Sequence, residues 1–170
     1  MYFIVYSFLG WVMESVLKTF LQKKPVNSGF LYGPFCPIYG FGAIIMFLFL
    51  SGFKDKPILL FIIGFVILSL WEYLVGWLLE KIFHTKYWDY SENKFNIKGR
   101  VCLMNSLFWG FLGVVFIGYI HPFIMEKVDV IEPGYLIFLT ITLLIIIIVD
   151  LIISIVKLNN IIINLEKLKE

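Results

Sequence analysis

Residues Ile58–Phe83 read ILLFIIGFVILSLWEYLVGWLLEKIF. The charged residues in this stretch are Glu72, Glu80 and Lys81, and only Glu72 lies far from its end. A helix needs roughly 20 mostly apolar residues to cross the hydrocarbon core of a bilayer. The stretch is longer than that, so we predict that it is a transmembrane helix.

The rest of the chain has the same character. Of its 170 residues, 61% are hydrophobic and 15% are charged, whereas about 25% are charged in a typical soluble domain. A soluble protein of this size would expose apolar patches large enough to aggregate. The net charge of +2 is small, and no basic and aromatic stripe suggests nucleic acid as a partner. The composition therefore predicts an integral membrane protein.

Four more segments are apolar enough to cross the bilayer, although the second is short and follows a region rich in Gly and Pro. We therefore predict an all-α, polytopic transmembrane helix bundle of about five spans, forming a single domain over residues 1–170. The tail, residues 158–170, has apolar residues at helical spacing and is predicted to be amphipathic. The five spans are about 2–21, 37–50, 58–83, 101–120 and 135–156.

The basic residues predict how the spans are oriented. If the N-terminus is outside, 11 of the 14 basic residues face the cytoplasm, as the positive-inside rule requires. The loop His121–Gly134 would then be external, and it is acidic. We expect a plasma-membrane protein with an external N-terminus and a cytoplasmic C-terminus. The cytoplasmic set is Lys18, Lys23, Lys24, Lys81, Lys86, Lys94, Lys98, Arg100, Lys157, Lys167 and Lys169.

Three spans each carry one polar or small face at helical spacing. Charged groups at membrane depth cost about 2.5–3.5 kcal/mol each on insertion scales, so they are retained where they are paired or functional. With this topology Glu14, Glu72, Asn105 and Asp150 lie in the cytoplasmic half. We predict a polar cavity that is open to the cytoplasm and built around Glu14 and Glu72. The faces are Ser7, Gly10, Trp11, Glu14 and Lys18; Ser69, Glu72, Tyr73, Gly76 and Glu80; and Cys102, Asn105, Trp109 and Gly113.

Structural pairing is an alternative for most of these charges. Glu14 and Lys18 are four residues apart in the favoured orientation for a helical ion pair. Glu80 and Arg100 suit the membrane boundary, where Arg100 can extend toward water. Asp150 can hold neighbouring helices together.

The segment 27–42, NSGFLYGPFCPIYGFG, holds four glycines and two prolines. This density disfavours a regular helix. Irregular backbone at membrane depth requires protein or water to satisfy its polar groups. We predict a broken or re-entrant start to the second span, whose free N–H groups could hold an anionic ligand. A tight connection packed against its neighbours is the alternative.

The segment His84–Arg100 is the longest predicted cytoplasmic loop. Its aromatic residues Tyr87, Trp88 and Tyr90 suit the membrane interface, and Lys94, Lys98 and Arg100 suit lipid phosphates. Asp89 and Asn96 are expected to dock the loop. His84, Asp89 and Glu92 do not have the spacing of a specific metal site, so neither a metal nor a cofactor is predicted. Cys36 and Cys102 form no disulfide framework.

Several catalytic motifs are absent from the sequence. It contains no G-x-x-x-x-G-K-[ST] phosphate loop, so hydrolysis of ATP by that route is not expected of this chain. It also lacks H-E-x-x-H and G-x-S-x-G. Enzymatic activity stays open, and absence of activity is the favoured interpretation.

Five quoted motifs carry a resemblance to a known family. They are YSFLGWVMES, GFLYGPFCPIYGFGA, WEYLVGWLLEKIF, YWDYSENKFNIKGRVCL and FWG. In this order and spacing the chain resembles small bacterial membrane proteins labelled putative ABC-transporter type IV, or CmpB-like, over about Tyr2–Pro122. The arginine usual after the family's asparagine is here Ser28. The resemblance implies functional positions at Glu14, Asn27, Gly33, Pro34, Cys36, Pro37, Tyr39, Gly40, Glu72, Glu80, Trp88, Asp89, Tyr90, Asn96, Gly99, Arg100 and Trp109.

Three functions remain open. The first, implied by the family name, is a permease-like transport subunit that works as a homodimer or with other transporter subunits. The second is an intramembrane enzyme that acts on a lipid or lipid-linked phosphate, and the third is a structural or regulatory subunit. Membrane lipid is a partner in each case. The predicted substrate-binding residues are Glu14, Glu72, Glu80, Asn27, Tyr39, Asp89, Asn96, Arg100, Asn105 and Trp109.

Overall fold

The computed structural model describes the backbone of residues 1–167 and the side chains of residues 1–160. A two-stranded antiparallel hairpin, β1 (Asn96–Ile97) and β2 (Val101–Cys102), pairs Ile97 with Val101. The helices are α1 (Tyr2–Gln22), α2 (Pro37–Leu50), α3 (Pro57–Phe83), α4 (Leu103–Val115), α5 (His121–Asp129) and α6 (Pro133–Lys167).

Within the described residues, four helical segments are long and apolar enough to cross a membrane. An apolar helix at Pro37–Phe53 is shorter. The predicted all-α class with a short second helix is therefore confirmed, and the chain is a multi-pass membrane protein. The four long segments are Tyr2–Gln22, Pro57–Phe83, Leu103–Asp129 and Pro133–Asn160.

The fourth segment differs from the prediction at both ends. Its helix begins at Leu103, after β2, and continues beyond Ile120 through a π-helical turn at Phe116–Ile120 into α5. The predicted loop at His121–Gly134 is therefore wrong up to Asp129. Pro122 lacks an N–H and cannot make the usual bond to the preceding turn. The wider π turn accommodates it without ending the helix.

The sixth helix also extends further than its apolar part. Helix α6 continues through Lys167, so the tail is helical as far as the described backbone reaches. Its predicted amphipathic side chains from Ile161 onward lie outside the described residues.

The chain divides into two compact units, each described here by itself. The first is Met1–Phe41 with Ile131–Glu170, and the second is Gly42–Val130. In the first unit, Ile4, Leu31, Phe35 and Ile147 form a buried apolar cluster. This cluster joins α1, the segment before α2, and α6.

In the second unit, α3 and α4 run side by side in opposite directions. Small residues allow the close approach, since a Cβ on Gly110 would overlap the Phe61 ring and backbone. Further along, Ser69 donates to Ser106 at 2.7 Å between hydroxyl oxygens. Such small-residue contacts are typical of packed transmembrane helices. The register that they set brings α3 residues after Ser69 beside α4 residues before Ser106.

Candidate functional site

The centre of the second unit is the carboxylate of Glu72, which is only 4% exposed. Glu72 lies eleven residues before the end of α3, roughly 16 Å along the helix axis. The α3–α4 register places Asn105 beside it, the long side chain of Trp109 reaches it from one turn further along α4, and the loop after α3 adds Tyr90. We call Glu72, Tyr90, Asn105 and Trp109 the Glu72 cluster.

Three neutral side chains donate to this carboxylate. Asn105 Nδ2 lies 2.5 Å from Oε1, and Tyr90 Oη lies 3.1 Å from the same oxygen. Trp109 Nε1 donates to Oε2 at 3.0 Å. Asn105 Nδ2 also approaches Tyr90 Oη at 3.2 Å, so that the two donors support each other. The carboxylate can accept about four hydrogen bonds, and Oε2 has the remaining capacity.

The charge of Glu72 has no basic partner among the described residues, in which ion pairs are found at other carboxylates. A buried carboxylate without a counter-charge is costly in a membrane protein. Indole and amide N–H groups can only donate, so they suit an anion. The cluster therefore gives a buried carboxyl group three neutral hydrogen-bond donors and no positive charge.

About two turns further along α3, Glu80 has the opposite environment. Its Oε2 accepts from Arg100 Nε at 2.8 Å and from Nη2 at 2.7 Å. Arg100 Nη1 also donates to Tyr73 Oη at 3.0 Å. Trp88 Nε1 donates to the carbonyl oxygen of Arg100 at 2.8 Å. Glu80 and Arg100, for each of which structural pairing was an alternative, thus pair with each other.

The loop that carries Tyr90 is held by its own polar residues. Asn96 Nδ2 donates to the carbonyls of Ser91 and Asn93, and Asn96 Oδ1 accepts from Gly99 N. Asp89 accepts from the Ser91 hydroxyl and backbone and pairs with Lys86 at 2.9 Å. The Ser91 hydroxyl first, and Lys86 after it, hold the pKa of Asp89 at about 2. Asp89 and Asn96 therefore shape the loop from within, and docking of the loop through these two residues stays a prediction.

In the first unit, Glu14 is paired within its own helix. Its Oε1 lies 2.6 Å from Lys18 Nζ, as the spacing indicated. Lys18 also donates to Ser28 Oγ at 2.9 Å. Cys36 is 2% exposed, and its thiol lies 4.0 Å from Glu14 Oε2. A thiol this buried is poorly placed to act as a nucleophile toward an external substrate.

Backbone N–H groups of the irregular segment before α2 bind a carboxylate, and this carboxylate is the side chain of Asp150 in the same chain. Tyr32 N and Gly33 N donate to the two oxygens of Asp150 in α6, at 3.1 and 2.7 Å. Asn27 accepts from Trp11 Nε1 at 2.6 Å and donates to the carbonyl of Tyr32. The segment is thus tied to α1 and α6. A separate anionic ligand at these two N–H groups is not needed to satisfy them.

The sequence-predicted residues therefore fall into separate groups. Glu72, Asn105 and Trp109 meet directly, Glu80 meets Arg100, and Asp89 and Asn96 lie in the loop. The other predicted residues belong to the first unit: Glu14, Asn27 and Tyr39, whose ring packs over Gly10. A cavity shared by Glu14 and Glu72 stays a prediction.

Tyr90 is the member of the cluster whose contact the sequence did not indicate. It was expected at the membrane interface because of its aromatic ring, but its hydroxyl donates to Glu72. The one indication in the sequence was that Tyr90 lies in YWDYSENKFNIKGRVCL, a motif that carries the family resemblance. Helical spacing could not find it, since Tyr90 lies outside the helices.

Comparison with known proteins gives one positive finding. Comparisons with curated proteins and with solved structures return no match. A protein-family model described as putative ABC-transporter type IV matches residues 1–155. This range includes the Glu72 cluster, the Glu80–Arg100 pair and Asp150. Since the match covers most of the 170 residues, the chain belongs to the family described as putative ABC-transporter type IV.

Proposed function

We propose that this protein is a permease-like membrane subunit of a transport system, and that the Glu72 cluster is its site for a cation or a proton. The observation that carries the proposal is the buried carboxyl group of Glu72, which has three neutral donors and no basic partner among the described residues. Intramembrane carboxylates are rare and commonly mark ion or substrate pathways. A cationic guest would supply the positive charge that the described side chains do not.

The geometry suits reversible binding. Three neutral donors keep the carboxylate solvated when the guest is absent, so that the site does not collapse between cycles. The remaining capacity of Oε2 gives a proton or cation a place to bind without displacing Trp109. By contrast, a fixed Arg partner, as at Glu80, would compete with any cationic guest.

The sequence has no phosphate loop, so any energy from ATP would come from another chain. The orientation that we propose keeps the N-terminus outside and the C-terminus in the cytoplasm of the cell. A homodimer or a complex with other subunits would enlarge the small number of spans. The cavity around Glu14 and Glu72, opening to the cytoplasm, remains part of the proposal.

Flux in proteoliposomes tests the proposal. Proton uptake is followed with internal pyranine under a potassium diffusion potential, and cation uptake is followed with radioactive rubidium. We expect wild-type vesicles to exceed protein-free vesicles in one assay and Glu72→Gln to reduce that flux to the protein-free level. Glu126→Gln, which changes an exposed carboxylate, is the matched control. Equal flux in wild type, Glu72→Gln and protein-free vesicles would contradict transport by this chain without a partner subunit.

A binding measurement covers the case in which transport requires a partner subunit. Trp109 donates to Glu72, so that its emission should respond when a proton or Rb⁺ binds the carboxylate. We expect a saturable change in wild type that is absent in both Glu72→Gln and Trp109→Phe. A wild-type emission that does not change on titration with acid or Rb⁺ would remove Glu72 as the site.

One observation favours a structural or regulatory subunit as the second candidate. Within the described side chains, no buried nitrogen or oxygen atom lacks a hydrogen-bond partner. A fully satisfied interior is what a scaffold requires. If the cluster is only interhelical glue, Glu72→Gln should lower stability without changing any flux or emission response. The enzyme alternative has less support, because the thiol of Cys36, which could act as a nucleophile only if a substrate reached it, is buried.

A further inference from the structure

The hairpin between α3 and α4 exposes two large apolar side chains. Phe95 is 78% exposed and Ile97 is 58% exposed. Lys94 and Lys98 flank them and are also exposed. We call Lys94, Phe95, Ile97 and Lys98 the hairpin tip. Apolar groups flanked by lysines suit a surface that combines hydrocarbon with negative charge.

The loop hydrogen bonds hold the tip in this arrangement. Asn96, between the two apolar residues, is turned inward by its bonds to Ser91, Asn93 and Gly99. Phe95 has a left-handed backbone, with φ of 54°, which is unusual for a bulky residue. Such conformations persist where surrounding structure imposes them, and they are common at functional sites. The exposure of Phe95 and Ile97 is therefore a feature of the folded loop.

The hairpin also lies level with the end of α4 at which the exposed apolar surface of that helix begins. Ile97 pairs with Val101, which comes two residues before the first residue of α4, and paired strands are about 5 Å apart. The exposed apolar surface of α4 begins at once, with Leu103 at 39% and Met104 at 75%. Arg100 fixes the other side of the hairpin to Glu80 of α3.

We propose that the hairpin tip is a lipid anchor, which inserts Phe95 and Ile97 into the bilayer interface while Lys94 and Lys98 bind the phosphates of anionic phospholipids. The charge pattern favours lipid over a second copy of the chain as the occupant. The anchor holds in place the loop whose Tyr90 donates to Glu72. This proposal does not depend on which ligand the Glu72 cluster binds.

The test measures depth by spin labelling of the full chain in vesicles. A nitroxide at Ile97→Cys is compared with one at Glu92→Cys, an exposed polar position of the same loop. Cys36 and Cys102 are each 2% exposed, and the parent chain treated with label serves as the blank. Collisions with oxygen report lipid, and collisions with a nickel chelate report water. Vesicles contain phosphatidylcholine with or without phosphatidylglycerol.

We expect the label at 97 to collide more with oxygen and less with nickel than the label at 92. Phosphatidylglycerol should enlarge this difference, and Lys94→Gln combined with Lys98→Gln should abolish its effect. Phe95→Ser should move the label at 97 toward water, while the milder lysine variant covers the case in which Phe95→Ser does not fold.

Equal nickel access at 97 and 92 would overturn the proposal. A label at 97 shielded from both reagents would indicate a protein contact instead, and insertion without any effect of phosphatidylglycerol would refute binding of anionic lipid.

Discussion

Helix α3 carries two carboxylates about two turns apart that are stabilised in different ways. Glu80 is 33% exposed in its side chain and has Arg100 as a counter-ion. Glu72 is 4% exposed and has three neutral donors. The oxygens of both carboxyl groups accept hydrogen bonds. The two sites therefore differ in whether a positive charge lies beside the carboxyl group.

This difference is the basis of the binding role that we propose for Glu72. An ion pair near water is complete, and it gains little from a further ligand. A buried anion in neutral surroundings keeps an unbalanced charge that a cation can neutralise. The number of hydrogen bonds on an intramembrane acid therefore says less about its function than the charge of its partners does.

The largest effect is expected from Glu72→Leu. This change removes the acceptor that Tyr90, Asn105 and Trp109 share, although Asn105 can still donate to the Tyr90 hydroxyl. Each buried donor left unpaired costs about 1–3 kcal/mol. Removal of the buried charge offsets part of the loss. We expect the free energy of unfolding to fall by about 3 kcal/mol, measured by denaturation in mixed detergent micelles.

The matched variant for this prediction is Glu72→Gln, which keeps the size and one accepting oxygen. We expect it to lose about 1 kcal/mol, because its amide can still accept from two donors. If Glu72→Leu were as stable as wild type, the donors would be satisfied by other groups. The proposed role of the cluster would then lose its geometric basis.

A smaller effect is expected where the carboxylate has a counter-ion. Arg100→Met removes the partner of Glu80, but partial exposure lets water solvate the carboxylate. We expect a loss of about 1–2 kcal/mol in the same measurement. Combining Arg100→Met with Glu80→Gln should restore part of this loss, since the remaining acid is no longer charged. A double variant whose loss of stability equals the sum of the two single losses would show that the two residues do not act as a pair.

Helical spacing predicted much of the Glu72 cluster. Glu72 and Asn105 were placed on polar faces because residues three and four apart share one side of a helix. The i,i+4 pair of Glu14 and Lys18 followed from the same geometry. Local periodicity and the penalty for polar groups in lipid are properties of the sequence, so these features can be predicted without a structure.

Contacts that depend on loop conformation could not be predicted in this way. The contact of Tyr90 with Glu72 requires the turn set by Asp89 and Asn96. The contact of Asp150 with Gly33 N joins residues that are far apart in sequence. Backbone N–H groups carry no sequence signal, because every residue other than proline has one. The continuation of α4 into α5 was missed for a different reason, since Pro122 and the acidic residues after it are typical of a loop.

The smallest effect is expected at Asp89, in the loop that carries Tyr90 of the Glu72 cluster. Its pKa of about 2 is set first by the Ser91 hydroxyl and then by Lys86, and it lies below the unfolded value of about 3.9. A depressed pKa stabilises the loop above the unfolded value, and this contribution is lost as the pH falls from about 4 toward 2. Tyr90 N donates to the carbonyl of Gly99 within the same turn. Acid should therefore weaken the Tyr90 donor to Glu72 before it affects Asn105 and Trp109, which come from α4.

Hydrogen exchange of the Ser91 and Tyr90 amides tests this order. After correction for intrinsic rates, protection at these amides should decrease between pH 5 and roughly pH 3, while amides of α4 near Asn105 keep theirs. Asp89→Asn should already show the lower protection at pH 5 and no further change on acidification. If wild type and Asp89→Asn depended on pH alike, another carboxylate would control the loop. If the α4 amides near Asn105 lost protection over the same pH range as the loop amides, the Glu72 cluster would respond to acid as one unit, with no difference between its loop and helix donors.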